Sequence, residues 1–64
     1  MKIEKIGYFL SVAKHLNFTK AAQECHIAQP AISRQMSSLE EELGFALFDR
    51  SSRKVRLTPA GQSF

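Results

Sequence analysis

From Ile3 the apolar residues Ile6, Phe9, Leu10, Ala13 and Leu16 recur at intervals of three and four, with Lys2, Lys5, Ser11 and Lys14 between them. This spacing predicts an amphipathic helix whose apolar stripe faces a core. His15, Asn17 and Phe18 interrupt the pattern. Thr19 then offers a hydroxyl to cap a short second helix over residues 20–25, with Ala21, Ala22 and Cys25 inward. Two adjacent alanines allow another helix to approach closely.

A third helix has the clearest boundaries, because Pro30 suits a first turn, where its missing donor costs nothing, and Gly44 is a natural stop. Between them Ile32, Met36, Leu39 and Leu43 fall within about 60° of one another at ~100° per residue, a narrow stripe for the core. Met36 is read as core filler. Pro30, Ser33, Arg34 and Ser37 form a polar arc on the opposite side, and a helix that reads DNA from a helix-turn-helix would use that arc at its N-terminal half. Glu40, Glu41 and Glu42 crowd the C-terminal end, where the macrodipole disfavours anions, and are read as a solvated face turned away from any phosphate.

After Gly44 the period changes. Phe45 to Phe48 is apolar, residues 49–54 are polar, and Val55, Arg56 and Leu57 alternate, which predicts two short strands around a tip of Ser51, Ser52, Arg53 and Lys54. Thr58 and Pro59 are a cap and first-turn pair for a fourth helix, of which only a turn or so is present, as if the chain broke off inside a longer element. The expected fold is all-α with a small β-hairpin: a three-helix core plus wing, in winged helix-turn-helix order. The expected organisation is one domain over residues 1–58, with its helix-turn-helix near 18–37 and wing near 47–57, followed by the start of a linker helix at 59–64.

Charge sharpens this picture. The net charge is +3, but residues 1–33 carry four lysines against two glutamates. Residues 34–49 carry Arg34 against four acids, and residues 50–64 hold Arg50, Arg53, Lys54 and Arg56 with no acid. A basic tail of this kind meets phosphate, with salt-dependent binding through counterion release, unless it is merely a solvated loop. Sixty-four residues form only a small core, which commonly needs a staple or a partner. The single Cys25 excludes an internal disulfide, and no apolar run approaches a membrane span or a signal-peptide core, so a soluble, cytoplasmic protein is expected. Cys25, His15 and His26 do not assemble a catalytic pair or a metal site, and neither an enzyme nor a cofactor is expected.

The residues also resemble the N-terminal DNA-binding domain of LysR-type transcriptional regulators, from Phe9 to Gly61. The matching stretches are Phe18-Thr19-Lys20-Ala21-Ala22, Gln29-Pro30-Ala31-Ile32-Ser33-Arg34-Gln35-Met36, Leu39-Glu40, Leu43-Gly44, Leu47-Phe48, Arg50, Arg53 and Leu57-Thr58-Pro59-Ala60-Gly61. The resemblance implies that Gln29, Pro30, Ser33 and Arg34 approach base edges and phosphates. It also implies that Thr19 lies beside a phosphate and that Arg50 and Arg53 belong to a basic wing, with Arg53 suited to a narrow minor groove. Ser37 and Lys54 are added from the arc and the tip. Two positions depart from the family pattern: Ala28 stands where serine or threonine is common, losing a cap hydrogen bond, and Cys25 stands where leucine is usual.

By resemblance, the partners are double-stranded DNA with an interrupted palindrome and a second copy joined through the linker helix. A small-molecule inducer would bind a separate C-terminal domain, and no membrane is involved. A fragment without that helix is expected to be monomeric or weakly paired, binding a half-site poorly. The competing reading is a winged helix that binds protein or RNA through the same polar face, with no palindrome preference and a shallow salt slope.

Overall fold

The third helix organises the molecule. In a computed structural model describing residues 3–51 and 54–64, the elements run α1 (Ile3–His15), α2 (Phe18–Cys25), α3 (Gln29–Leu43), β1 (Phe48–Asp49), β2 (Arg56–Leu57) and α4 (Pro59–Ser63). Ile32, Met36 and Leu39 of α3 are fully buried, as the stripe requires, and Leu43 packs at its margin. Ala28 precedes the helix with no side-chain cap, so its backbone carbonyl alone receives the N–H groups of Ala31 and Ile32 at 3.0 and 3.2 Å. Gly44 ends α3 with φ +81, a left-handed conformation that glycine adopts without penalty, and donates to the Glu40 carbonyl at 2.9 Å.

Around this stripe close Phe9 and Val12 of α1, Ala21 and Ala22 of α2, Leu47 and Phe48. The small alanines let α2 sit close, as expected, with Cys25 packed at the edge. The two strands pair antiparallel, with Phe48 opposite Leu57 and Asp49 opposite Arg56, forming a short wing. Phe48 is sandwiched between Phe9 and Phe18, with ring centroids 5.6 and 5.7 Å away, which binds the wing root to both α1 and α2. Thr58 caps α4 by accepting from Gly61 N at 3.0 Å while its own hydroxyl donates to the Ala46 carbonyl at 2.6 Å.

Two expectations are corrected. The first concerns α1: its core side is Phe9 and Val12, with Tyr8 and Ala13 alongside, and Ser11 is buried too. Ile3 (87% exposed), Leu10 (60%) and Ile6 (38%) point outward, as does Leu16. Ile3, Ile6 and Leu10 lie within about 60° of one another on an ideal wheel, on the side away from Val12. The helix is thus apolar on two sides, and spacing alone does not say which side is buried.

The second concerns the start of α2. Asn17, not Thr19, is its cap: Asn17 is extended (φ −157, ψ 115) and its side-chain oxygen accepts from Lys20 N at 3.0 Å. Asparagine is at least as good a cap as threonine, and this choice draws Phe18 into the first turn, where its ring meets Phe48. Thr19 is left exposed in that turn.

A polar clamp joins α1 to α2. Ser11 Oγ donates to Glu24 Oε1 at 2.6 Å, Lys14 Nζ donates to Oε2 at 3.0 Å, and His15 Nε2, buried, stands 3.3 Å from the same oxygen. The Ser11 hydrogen bond, then Lys14 and His15, hold the Glu24 carboxyl at about 2, down from 4.5. A depressed carboxyl stabilises the fold above its unfolded value and loses that contribution as pH falls through its folded one. Thermal melts should therefore show Glu24→Gln less stable than the parent at pH 6, with the gap closing between pH 4.5 and 2. An unchanged gap at pH 2 would remove the clamp from the stability balance.

Candidate nucleic-acid interface

The helix-turn-helix is α2, a three-residue turn and α3. Its turn is made by His26, held left-handed at φ 58, whose N–H bonds back to the end of α2, while Ile27 N donates to the Ala22 carbonyl at 3.0 Å. Ile27 packs against the core, so the turn is pinned from inside. The turn between α2 and α3 is thereby fixed by backbone hydrogen bonds and by Ile27, without help from Gln29, Pro30 or Arg34 on the outer arc of α3.

On that arc Gln29, Pro30 and Arg34 are exposed, and Ser33 and Ser37 are half-buried. Among the described residues Arg34 and Lys20 enter no side-chain hydrogen bond or ion pair. A guanidinium kept unpaired on a helix face that contributes nothing to the core is ready for an external acceptor. Thr19 and Lys20 stand exposed in the first turn of α2, where free N–H groups and the helix dipole favour an anion. Lys54 is exposed at the wing, and Arg53 lies outside the described residues, as does Ser52.

Arg50 differs from the rest of this set. Its Nη2 donates to Glu40 Oε1 at 3.2 Å and its Nη1 to Ser37 Oγ at 3.4 Å, while its guanidinium lies 5.0 Å from the centroid of the Phe18 ring. The reading of Glu40 as solvated is therefore corrected. Its side chain is only 16% exposed, and its second oxygen accepts from Leu47 N at 2.7 Å and Phe48 N at 3.1 Å. Local sequence gives no sign of this, because every partner follows Gly44, seven to ten residues on.

Two other acids, Glu42 and Asp49, are also engaged. Glu42 is held by Lys5 at 2.5 Å, which lowers its carboxyl. Asp49 accepts from the hydroxyl and N–H of Ser51 at 2.6 and 3.0 Å, with the hydroxyl the larger cause of its lowered value.

A fully buried stripe, a pinned turn, a polar outer arc and a short basic hairpin after the third helix are the parts of a winged helix-turn-helix. The family model for the bacterial regulatory helix-turn-helix protein, lysR family, matches residues 3–62. The chain belongs to the LysR family. Among LysR relatives it is similar to the probable cat1 operon transcriptional activator of Acinetobacter lwoffii, 50% identical over 64 residues, which span all of this chain and 21% of that protein. It is also similar to the DNA-binding transcriptional dual regulator OxyR of Escherichia coli K12, 46% identical over 61 residues, or 95% of this chain and 20% of that one. Two crystal structures share its fold across the whole chain. They are the complex of the BenM DBD with catB site 1 DNA (TM-score 0.96, 48% identity, 72% of that chain) and the complex of the CbnR DBD with DNA (TM-score 0.94, 44% identity, 74% of that chain). The chain spans about a fifth of the length of the curated LysR relatives it matches. Among the described residues no helix is long and apolar enough to cross a membrane.

Proposed function

We propose that this chain is a sequence-specific reader of duplex DNA within a LysR-type regulator, acting by binding and not by catalysis. The observation that carries the reading is the division of α3 into a buried stripe and an outer arc with an unpaired Arg34. That the similar BenM and CbnR domains were crystallised on DNA supports it. On this reading Gln29, Pro30, Ser33, Arg34 and Ser37 enter the major groove, Thr19 meets a phosphate, and Arg50, Arg53 and Lys54 approach backbone or minor groove. The unit doing this is residues 1–58, and residues 59–64 open a linker helix.

The whole regulator is read as a cytoplasmic homodimer or higher oligomer on an interrupted palindrome, with an inducer-binding domain beyond this chain. A two-fold pair of readers requires two half-sites in mirrored order. The exposed Ile3, Ile6 and Leu10 stripe of α1 supports pairing, because it leaves an apolar side of the helix uncovered. The nearby Phe64, edge-on to Phe9 at 5.2 Å, sets α4 against that helix.

Fluorescence anisotropy on a random duplex, on promoter fragments and on single-stranded RNA, at several salt concentrations, tests this proposal. Binding should fall steeply with salt and favour one promoter. Arg34→Ala should cost ~1–3 kcal/mol, roughly fivefold or more in affinity, and flatten the preference at one position. Duplex binding absent at low salt in a folded chain, or RNA bound in preference, would overturn the reading.

A further inference from the structure

Glu40 occupies an unexpected place for a carboxylate in a domain that meets phosphate. Fixed negative charge beside a duplex weakens binding, so an acid retained there must contribute something larger through its neighbours. Four residues close a circuit: Glu40 accepts from Phe48 N, the Phe48 ring packs on Phe18, Phe18 lies under Arg50, and Arg50 returns to Glu40. The circuit joins α2, α3 and the root of the wing, each of which carries residues assigned above to DNA. Held at Ser37, at Glu40 and over Phe18, the guanidinium is fixed in orientation, with further N–H donors beyond those two bonds and a side chain 37% exposed.

We propose that Glu40 is a positioning residue: it aims Arg50 at a backbone phosphate and sets the wing against α3, so that wing and arc engage the duplex together. The inference rests on the DNA-binding reading. It assigns the Glu40 carboxylate a favourable effect on affinity although its charge is unfavourable, and this sign separates positioning from a plain surface acid. Glu40→Gln keeps the shape but loses the charge-assisted bond to Arg50. Arg50→Lys keeps the charge but loses the planar fork that spans Ser37, Glu40 and the Phe18 face.

The test is anisotropy and hydroxyl-radical footprinting of the 64-residue chain on duplex, with Glu41→Gln as the charge control and Glu24→Gln as the control for lost stability. Glu41 is exposed beside Glu40, and Glu24 belongs to the α1–α2 clamp. Expected results are about tenfold weaker binding by Glu40→Gln and by Arg50→Lys. Protection should be lost where the wing lies, with the α3 base preference kept. Glu41→Gln should bind slightly tighter, and Glu24→Gln should bind as the parent at a temperature where both are folded. If Glu40→Gln tightens binding as Glu41→Gln does, or if Arg50→Lys matches the parent, Glu40 is not a positioning residue. If Glu40→Gln fails to fold, Arg50→Lys alone decides, since it leaves both backbone hydrogen bonds of Glu40 in place. Failure of the parent itself to bind duplex would instead overturn the DNA-binding reading and this inference with it.

Discussion

Gly61→Ala should lower the melting temperature of this domain by roughly 10 to 20 °C. A Cβ at Gly61 would lie 2.2 Å from the Leu47 carbonyl oxygen and 3.0 Å from its carbon. Both are backbone atoms, so no rotamer change relieves the contact. The same oxygen accepts from Thr58 N at 2.9 Å and cannot swing away without breaking the junction between the wing and α4. The remaining response is for α4 to lift from the 46–47 segment, weakening the Thr58 bonds and the edge-on contact of Phe64 with Phe9. Overpacking typically costs ~1–3 kcal/mol, and rigid neighbours put this case at the upper end. Circular dichroism melts check it against Gly7→Ala in α1, where a Cβ meets nothing within 4 Å and the more helix-prone alanine should stabilise by about 0.5–1 kcal/mol. A Gly61→Ala melt within a few degrees of the parent would mean that α4 is not docked as described.

The contrast between these glycines shows what kind of information a one-dimensional pattern holds. Boundaries set by a residue's own backbone chemistry were legible: Pro30 and Gly44 bracket α3, and Thr58 with Pro59 opens α4. The α3 stripe was legible too, because its opposite side is polar. On α1 the same reasoning failed, since Ile3, Ile6 and Leu10 make a second apolar side that satisfies the period as well as the core side does. At the start of α2 two good capping residues stand two apart, and the packing of Phe18 on Phe48 favours Asn17. The outer arc of the candidate interface followed from the wheel. The Glu40–Arg50 circuit did not, because its members meet only after the chain reverses at Gly44.

Leu39→Ala should leave the free domain about half unfolded near room temperature, yet recover its helix on duplex DNA. Leu39 is fully buried between α3 and the rest of the core. Truncating such a leucine costs ~2–5 kcal/mol, and a core of this size supplies only ~3–5 kcal/mol in total. Duplex at a hundred times its dissociation constant adds ~2.7 kcal/mol of linkage to the folded state, enough to offset most of the loss. Far-ultraviolet circular dichroism with and without duplex should therefore show a DNA-dependent gain of helix for Leu39→Ala. Arg34→Ala should show full helix in both conditions and weak affinity, because Arg34 supports no packing. The two variants separate the halves of α3: one side holds the fold and should affect binding only through the folded population, while the other, on the proposed reading, should affect binding and leave stability alone. If Leu39→Ala regains no helix at saturating duplex while the parent binds tightly, binding and folding do not share this helix as a coupled unit.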